Sequence, residues 1–130
     1  MSAITTSALS IREDLLRDPR NPVHKIADTL LPYLRVLVEE FHPQQVILFG
    51  SYAYGQPDEH SDVDLLVVKP IERSPVKDAT AIRRSWRSVR YSGNSLPIDI
   101  LVEDEAGHRQ RLAAGGAFYL EIVNQGLRLV

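Results

Sequence analysis

The chain has 130 residues, of which 44% are hydrophobic and 25% are charged, with a formal net charge of -2 and no cysteine. These values are typical of one globular domain with a real core, and they exclude a disulfide framework, a zinc–thiolate site and a thiol nucleophile. They provide no overall basic field to attract nucleic acid. Because no signal peptide and no apolar run near the ~20 residues of a membrane helix is found, we expect a cytoplasmic protein without membrane contact.

The first third of the chain predicts helices. Ser10 and Glu13 have the spacing of a capping box, which predicts a short helix that ends at the proline-containing stretch 18–22. Beyond this stretch apolar residues follow helical spacing as far as Phe41. Pro32 lies inside that pattern, so we expect it to kink the second helix or to split it into two.

Three apolar runs predict strands, at residues 46–49, 65–68 and 98–102. A helix beginning at Ser74-Pro75 is expected between the second and third strands, and a C-terminal helix is expected after Asp104, interrupted at Gly115-Gly116. Three later apolar residues are expected to pack in the core: Phe118, Ile122 and Leu127.

The order of these elements predicts an α/β or α+β fold with a small mixed β-sheet and flanking helices. We expect one domain over residues 1–130, with an N-terminal helical extension of about residues 1–21. The extension is expected to make few contacts with the sheet, so its apolar residues suggest packing on a second copy of the chain as a homo-oligomer. These apolar residues are Ile4, Leu9, Leu15 and Leu16.

A glycine–serine turn follows the first predicted strand. Gly50 lets the backbone turn and approach a ligand without a Cβ in the way, and Gly55 permits a second close approach. The Ser51 hydroxyl and the backbone amides of a following helix would bind phosphate oxygens. This is not a Walker loop, because no Gly-Lys-Ser/Thr sequence occurs.

Two carboxylates, Asp62 and Asp64, adjoin the second predicted strand, and side chains two positions apart on a strand share a face. Two like charges this close repel unless a cation neutralises them, and Mg²⁺ prefers hard oxygen ligands. Asp99, in the third strand, would add a third carboxylate if the two strands are neighbours. Three carboxylates can hold two metal ions ~4 Å apart, the arrangement that serves phosphoryl transfer.

Together these residues resemble the motif of the DNA polymerase β-like nucleotidyltransferase superfamily, and the short chain is similar to the minimal nucleotidyltransferases in particular. The resemblance rests on an apolar strand, Gly50-Ser51, ten intervening residues, and Asp62-Val63-Asp64. It implies the polymerase β-like fold, a nucleotide triphosphate held at Gly50 and Ser51, and two Mg²⁺ ions held by Asp62, Asp64 and Asp99. The reaction it implies is transfer of a nucleoside monophosphate, AMP from ATP, with release of pyrophosphate.

The same resemblance implies a partner. Several minimal nucleotidyltransferases act with a HEPN-domain protein as a toxin–antitoxin pair, so the acceptor is expected to be that protein. The chain has no segment long enough for a separate acceptor-binding domain. Two alternatives stay open: a non-catalytic antitoxin that only binds its partner, and a transferase acting on a small molecule of the aminoglycoside kind.

Other residues allow two interpretations. Arg83, Arg87 and Arg90 form a basic helix face that is either simply solvated or able to bind phosphate or an acidic partner. Lys69 is interpreted as a surface residue that could alternatively reach a phosphate.

Overall fold

A computed structural model describes residues 11–130. Its helices and strands have the following bounds: α1 Glu13–Arg17, a 3-10 helix Pro22–Ile26, α2 Ala27–Phe41, β1 Gln45–Phe49, α3 Ser51–Tyr54, β2 Val63–Val68, α4 Pro75–Ser85, α5 Arg87–Tyr91, β3 Ile98–Glu103, α6 Glu105–Ala114, α7 Ala117–Gln125 and β4 Leu127–Arg128. Within residues 11–130, no helix has both the length and the apolar character that crossing a membrane requires.

The strands form one mixed sheet in the order β3-β2-β1-β4. β1 is antiparallel to both β2 and β4, whereas β2 and β3 are parallel and are joined by the crossover helices α4 and α5. The mixed sheet with flanking helices confirms the predicted fold class. The two-residue strand β4 was not predicted, because so short a strand leaves no periodic pattern in the sequence.

Alternation along the strands gives the sheet two faces. The covered face carries the larger core, packed against α2 and α4, and comprises Val46, Leu48, Val63, Leu65, Val67, Ile98, Ile100 and Val102. The site face, packed against α7 over β1 and β2 only, comprises Ile47, Phe49, Asp64, Leu66, Val68, Asp99, Leu101 and Glu103. The half of the site face that belongs to β3 is therefore open.

The helix α2 is a single helix that runs through Pro32 without interruption, so the prediction of a split at this proline was wrong. The buried side chains of α2, among them Leu30, Leu34 and Leu37, hold it on the covered face along its whole length. Tertiary packing of this face offsets the hydrogen bond that Pro32 cannot make.

The short helix α1 is present, with Arg12 at its N-cap; Ser10 of the predicted capping box lies outside the described residues, as do Ile4 and Leu9. In its described part, α1 packs mainly against the 3-10 helix Pro22–Ile26 and makes few contacts with the strands. Leu16 is fully buried in the larger core, and the Arg12 amide donates a 2.7 Å hydrogen bond to the carbonyl of Leu129.

Two side-chain assignments also need correction. Phe118 is 62% exposed on α7 and does not enter the core, whereas Ile122 on the same helix is fully buried. Lys69 is buried, because its Nζ donates hydrogen bonds to the carboxylate of Asp78 and the carbonyl of Pro70. The buried partner on α4 could not be inferred from the residues around Lys69.

Candidate active site

Asp64 and Asp99 face each other across the parallel strands β2 and β3, where they form an in-register pair. Neighbouring strands lie ~4.8 Å apart and in-register side chains point to the same face. Both carboxylates therefore stand side by side on the site face. Asp64 is partly buried and Asp99 is exposed, so the pair opens towards solvent at the uncovered end of the sheet.

Asp62 lies one residue before β2, not on the strand itself, and its side chain is exposed. The charge of Asp62 nevertheless affects the Asp64 carboxylate. Burial raises the pKa of the Asp64 carboxyl, and the negative charges of Asp99 and Asp62 raise it further. Asp64 thus interacts electrostatically with both of the other predicted aspartates, and like charges repel.

Gly50 packs directly on Asp64. Its φ of +77° lies in the left-handed region, and a Cβ built at this position would stand 2.3 Å from the Asp64 carboxylate oxygen Oδ2. Only glycine satisfies both the backbone conformation and the contact. The turn after β1 and the first carboxylate of β2 are therefore parts of one constellation.

Ser51 begins the four-residue helix α3, whose turn closes with hydrogen bonds from the amides of Ala53 and Tyr54 to the Gly50 carbonyl. The first amides of a helix have no partner within that helix, and α3 directly follows Gly50, which packs against Asp64. Gly55 ends α3, and a Cβ there would come within 2.8 Å of the Ser51 Cα. Gly55 thus keeps the turn compact; its role in binding a nucleotide stays a prediction.

The donor set fits Mg²⁺ together with a phosphate ligand. In the part of the chain that the structure describes, no group of three or more His, Cys, Asp or Glu side chains has the geometry to hold a metal ion by itself. Mg²⁺ is ordinarily bound by one or two carboxylates, and water and substrate phosphates complete its octahedron. The in-register pair Asp64 and Asp99, with Asp62 nearby, supplies oxygen ligands of this kind beside the glycine–serine turn.

Aromatic side chains border the site in a way that the sequence did not reveal. Phe118 of α7 stands edge-on to Phe49 of β1, with their ring centroids 6.1 Å apart, so an exposed aromatic ring lies on the site face. Its place in an apolar helix predicted a core residue. Only the three-dimensional position of α7, which stops short of β3, leaves this ring open to solvent.

The fold and the constellation of Gly50, Ser51 and the aspartates define a class of protein. Residues 31–115, more than half of the chain and all of the elements that carry these residues, match the family model described as nucleotidyltransferase domain. The chain belongs to the nucleotidyltransferase domain family, and it is consistent with a minimal member of the polymerase β-like superfamily.

Two relatives from Methanocaldococcus jannaschii have similar sequences. One, named "Putative protein adenylyltransferase MJ0141", is 39% identical over 59 residues, which are 45% of this chain and 52% of the relative. The other, named "Putative protein adenylyltransferase MJ0128", is 36% identical over 45 residues, which are 35% of this chain and 46% of the relative. The chain thus spans about half the length of each relative. No solved structure is significantly similar to it.

Proposed function

We propose that the chain is a Mg²⁺-dependent protein adenylyltransferase, which transfers AMP from ATP to a hydroxyl group of a protein. The observation that carries this proposal is the in-register pair Asp64 and Asp99, with Gly50 packed against Asp64. Membership of the nucleotidyltransferase family supports nucleotidyl transfer. The names of the two similar proteins support a protein as acceptor.

The role of each residue follows from its position in the site. Gly50 and Ser51, after β1, hold the triphosphate through backbone amides and a hydroxyl, and Gly55 keeps that turn closed. Asp62, Asp64 and Asp99 would hold the Mg²⁺ ions, and Asp99 faces the acceptor. Bound Mg²⁺ would neutralise the phosphates and lower the pKa of the attacking hydroxyl. Catalysis in such a site is mainly positioning and charge neutralisation.

In the reaction, the acceptor hydroxyl oxygen forms a bond to the α-phosphorus of ATP. The bond between that phosphorus and the α–β bridging oxygen breaks, and pyrophosphate leaves with the electron pair. The hydroxyl proton passes to solvent beside Asp99. The products are an adenylylated protein and pyrophosphate, with no oxidant or reductant required.

For the acceptor we propose a HEPN-domain protein, and for the role an antitoxin that modifies this toxic partner in the cytoplasm. The support is the resemblance to minimal nucleotidyltransferases that act in such pairs. Loss of protection when Asp64→Asn and Asp62→Asn are combined would favour the enzymatic antitoxin. Protection that persists in this variant would favour an antitoxin that acts by binding alone.

The activity is tested with the purified chain, α-labelled ATP, Mg²⁺ and the protein encoded by the adjacent gene as acceptor. Label should enter the acceptor with wild type and not with Asp64→Asn. ATP binding, measured by calorimetry in the same buffer, reports the nucleotide site independently of any acceptor. Absence of both ATP binding and label transfer, with each nucleotide tried, would overturn the proposal.

A further inference from the structure

A groove lies along the outer edge of β3, the edge strand that carries Asp99. It has a volume of about 790 Å³ and is bordered by β3, by α4, and by the junction of α6 and α7. Asp62, Asp64 and Asp99 do not line it, but Leu101 does. Leu101 follows Asp99 by two residues on the same face, so the two side chains stand ~7 Å apart. The groove therefore begins next to Asp99 along β3.

The groove exposes apolar side chains that the fold leaves without a partner. Val76 is 77% exposed, Phe118 62% and Leu101 45%, and all three line the groove. They belong to three different elements, α4, β3 and α7. Exposed apolar surface of this kind marks a binding site more often than bare solvent-facing protein.

One rim of the groove carries unpaired positive charge. Arg83 of α4 lines it, and the exposed Arg87 and Arg90 follow on α5, outside the groove lining. No ion pair among residues 11–130 involves any of these three arginines. The other charges in the groove, Arg111 and Glu103, pair with each other at 2.6 Å. The groove and its rim therefore have a net positive charge in a chain whose net charge is -2.

The rim of arginines runs towards the carboxylates. Because β2 and β3 are parallel, the helices that join them run back along the sheet, and α5 ends near the start of β3. Val76 thus lies towards the Glu103 end of β3, and Arg87 and Arg90 lie towards its Asp99 end. An extended ligand along β3 would contact the apolar lining and the arginines together.

The order of the strands indicates that the acceptor binds on the β3 side of the site. The glycine–serine turn follows β1, Asp64 lies on β2 and Asp99 on β3. In phosphoryl transfer the attacking and leaving oxygens are roughly in line. If the triphosphate binds at the β1 side, as the proposed function has it, pyrophosphate leaves towards β1 and the hydroxyl enters from the β3 side, where the groove lies.

We propose that this groove, with the rim of Arg83, Arg87 and Arg90, binds an acidic polypeptide segment of the acceptor. The segment lies extended along β3, with its hydroxyl-bearing residue at Asp99 and an apolar residue two positions away on Leu101 and Phe118. This inference rests on the proposed function and names the chemistry of its acceptor. The apolar lining favours a polypeptide over nucleic acid, whose backbone needs charge without apolar anchors.

The test measures peptide binding without ATP. The probe is a fluorescein-labelled peptide in which a tyrosine–glycine–leucine sequence is flanked by glutamates, and the matched control peptide has lysines in their place. The acidic peptide should bind wild type at least about tenfold more tightly than the basic one, and added salt should weaken its binding. Equal binding of the two peptides would overturn the proposal.

Variants separate charge from apolar contact. Arg83→Glu combined with Arg87→Glu should weaken binding of the acidic peptide by about tenfold or more, and Phe118→Ser should weaken it severalfold. The control Arg35→Glu reverses an exposed, unpaired arginine on α2 and should leave binding unchanged. All four substituted side chains are exposed, so circular dichroism should show folded protein in every case.

Two results would contradict the acceptor groove. One is a double arginine reversal that leaves the affinity for the acidic peptide unchanged. The other is single-stranded RNA of similar length that binds wild type more tightly than the peptide and is insensitive to Phe118→Ser, which would indicate a nucleic-acid surface. ATP binding by the wild type, measured separately, tests the proposed function, so failure of the nucleotide site is distinguished from failure of the groove.

Discussion

The two ends of strand β2 differ in the electrostatic surroundings of a nearby aspartate, which is Asp64 at the start of the strand and Asp78 just beyond its end. At its start, Asp64 stands beside Asp99 with like charge and, among residues 11–130, makes no ion pair with a basic side chain. Just beyond its end, Lys69 pairs with Asp78 at 2.7 Å, and both side chains are at least 95% buried. An acid that the fold leaves uncompensated is available for a ligand, whereas an acid that the fold fully satisfies holds the structure together.

Asp78, just beyond the end of β2, belongs to a complete hydrogen-bond network. Burial works to raise the pKa of Asp78, but hydrogen bonds from Lys69 and from the backbone amides of Glu72 and Arg73 outweigh it, and the net pKa is lowered. These contacts fix the loop between β2 and α4. They therefore set where α4, and with it one wall of the groove, lies against β3.

The largest expected effect concerns Asp64, at the start of β2. Asp64→Asn should lower AMP transfer by about 10³-fold, because it removes a metal ligand beside the phosphates while keeping the side-chain shape. The measurement is label transfer at saturating ATP, with the fold checked by circular dichroism. Near wild-type transfer by this variant would remove Asp64 from the chemistry.

Breaking the ion pair between Lys69 and Asp78 should lower the stability of the fold. Asp78→Ala leaves the Lys69 ammonium buried without its partner, and we expect a loss of about 3–5 kcal/mol in the free energy of unfolding, measured with urea. A double variant, Lys69→Met with Asp78→Ala, should recover part of the loss, since the stranded charge is gone. If the single variant is as stable as wild type, the pair does not brace this loop.

Gly50→Ala tests the contact that joins the turn to the carboxylate. It combines left-handed strain with a clash against Asp64 Oδ2, so we expect a loss of ~1–3 kcal/mol in stability and about 10²-fold in transfer. The matched control is Gly93→Ala, because Gly93 also has a left-handed φ, of +95°, and no atom within 4 Å of a built Cβ. Its substitution should bring backbone strain alone, with transfer unchanged. Equal activities in the two variants would contradict the role of the contact.

The smallest effect is a difference in pH dependence between the two ends. Because the folded-state pKa of Asp64 is raised above 3.8, ionisation of Asp64 destabilises the fold as pH rises through that range. Without divalent cations, Asp64→Asn should therefore melt slightly higher than wild type at neutral pH, and the difference should close towards pH 3.8.

Asp78 should show the opposite sign. Its folded-state pKa lies below 3.8, so its ionisation stabilises the fold above that pH, and the stability is lost as pH falls through the lowered pKa. Asp78→Asn should therefore be less sensitive to acid than wild type. Melting curves of both variants between neutral and acidic pH check the pair of signs, and the same sign for both would refute the contrast.

The sequence predicted those parts of the fold and site that local pattern controls. The three longer strands, the capped starts of α4 at Ser74 and of α6 at Asp104, and the stop at Gly115 were all predicted. The three aspartates and Gly50 were singled out because a glycine turn and paired carboxylates next to apolar strands are unusual in sequence, and their roles stay predictions.

Long-range pairing could not be predicted in the same way. The register that places Asp64 beside Asp99 depends on which strands are neighbours, and the burial of Lys69 depends on a partner nine residues away on another element. The exposure of Phe118 depends on where α7 stops across the sheet. Each of these follows from packing between elements, which periodicity within one element does not encode.

The hydrogen bond from the Arg12 amide to the Leu129 carbonyl places both ends of the described chain at the β4 margin of the sheet, across from β3. A fluorescent reporter or a surface linker fused after Val130 would project from that margin. Immobilised in this orientation, the protein would present Asp99 and the neighbouring groove to the bulk solution. Binding measurements on a sensor chip would then sample the reactive side without obstruction from the attachment.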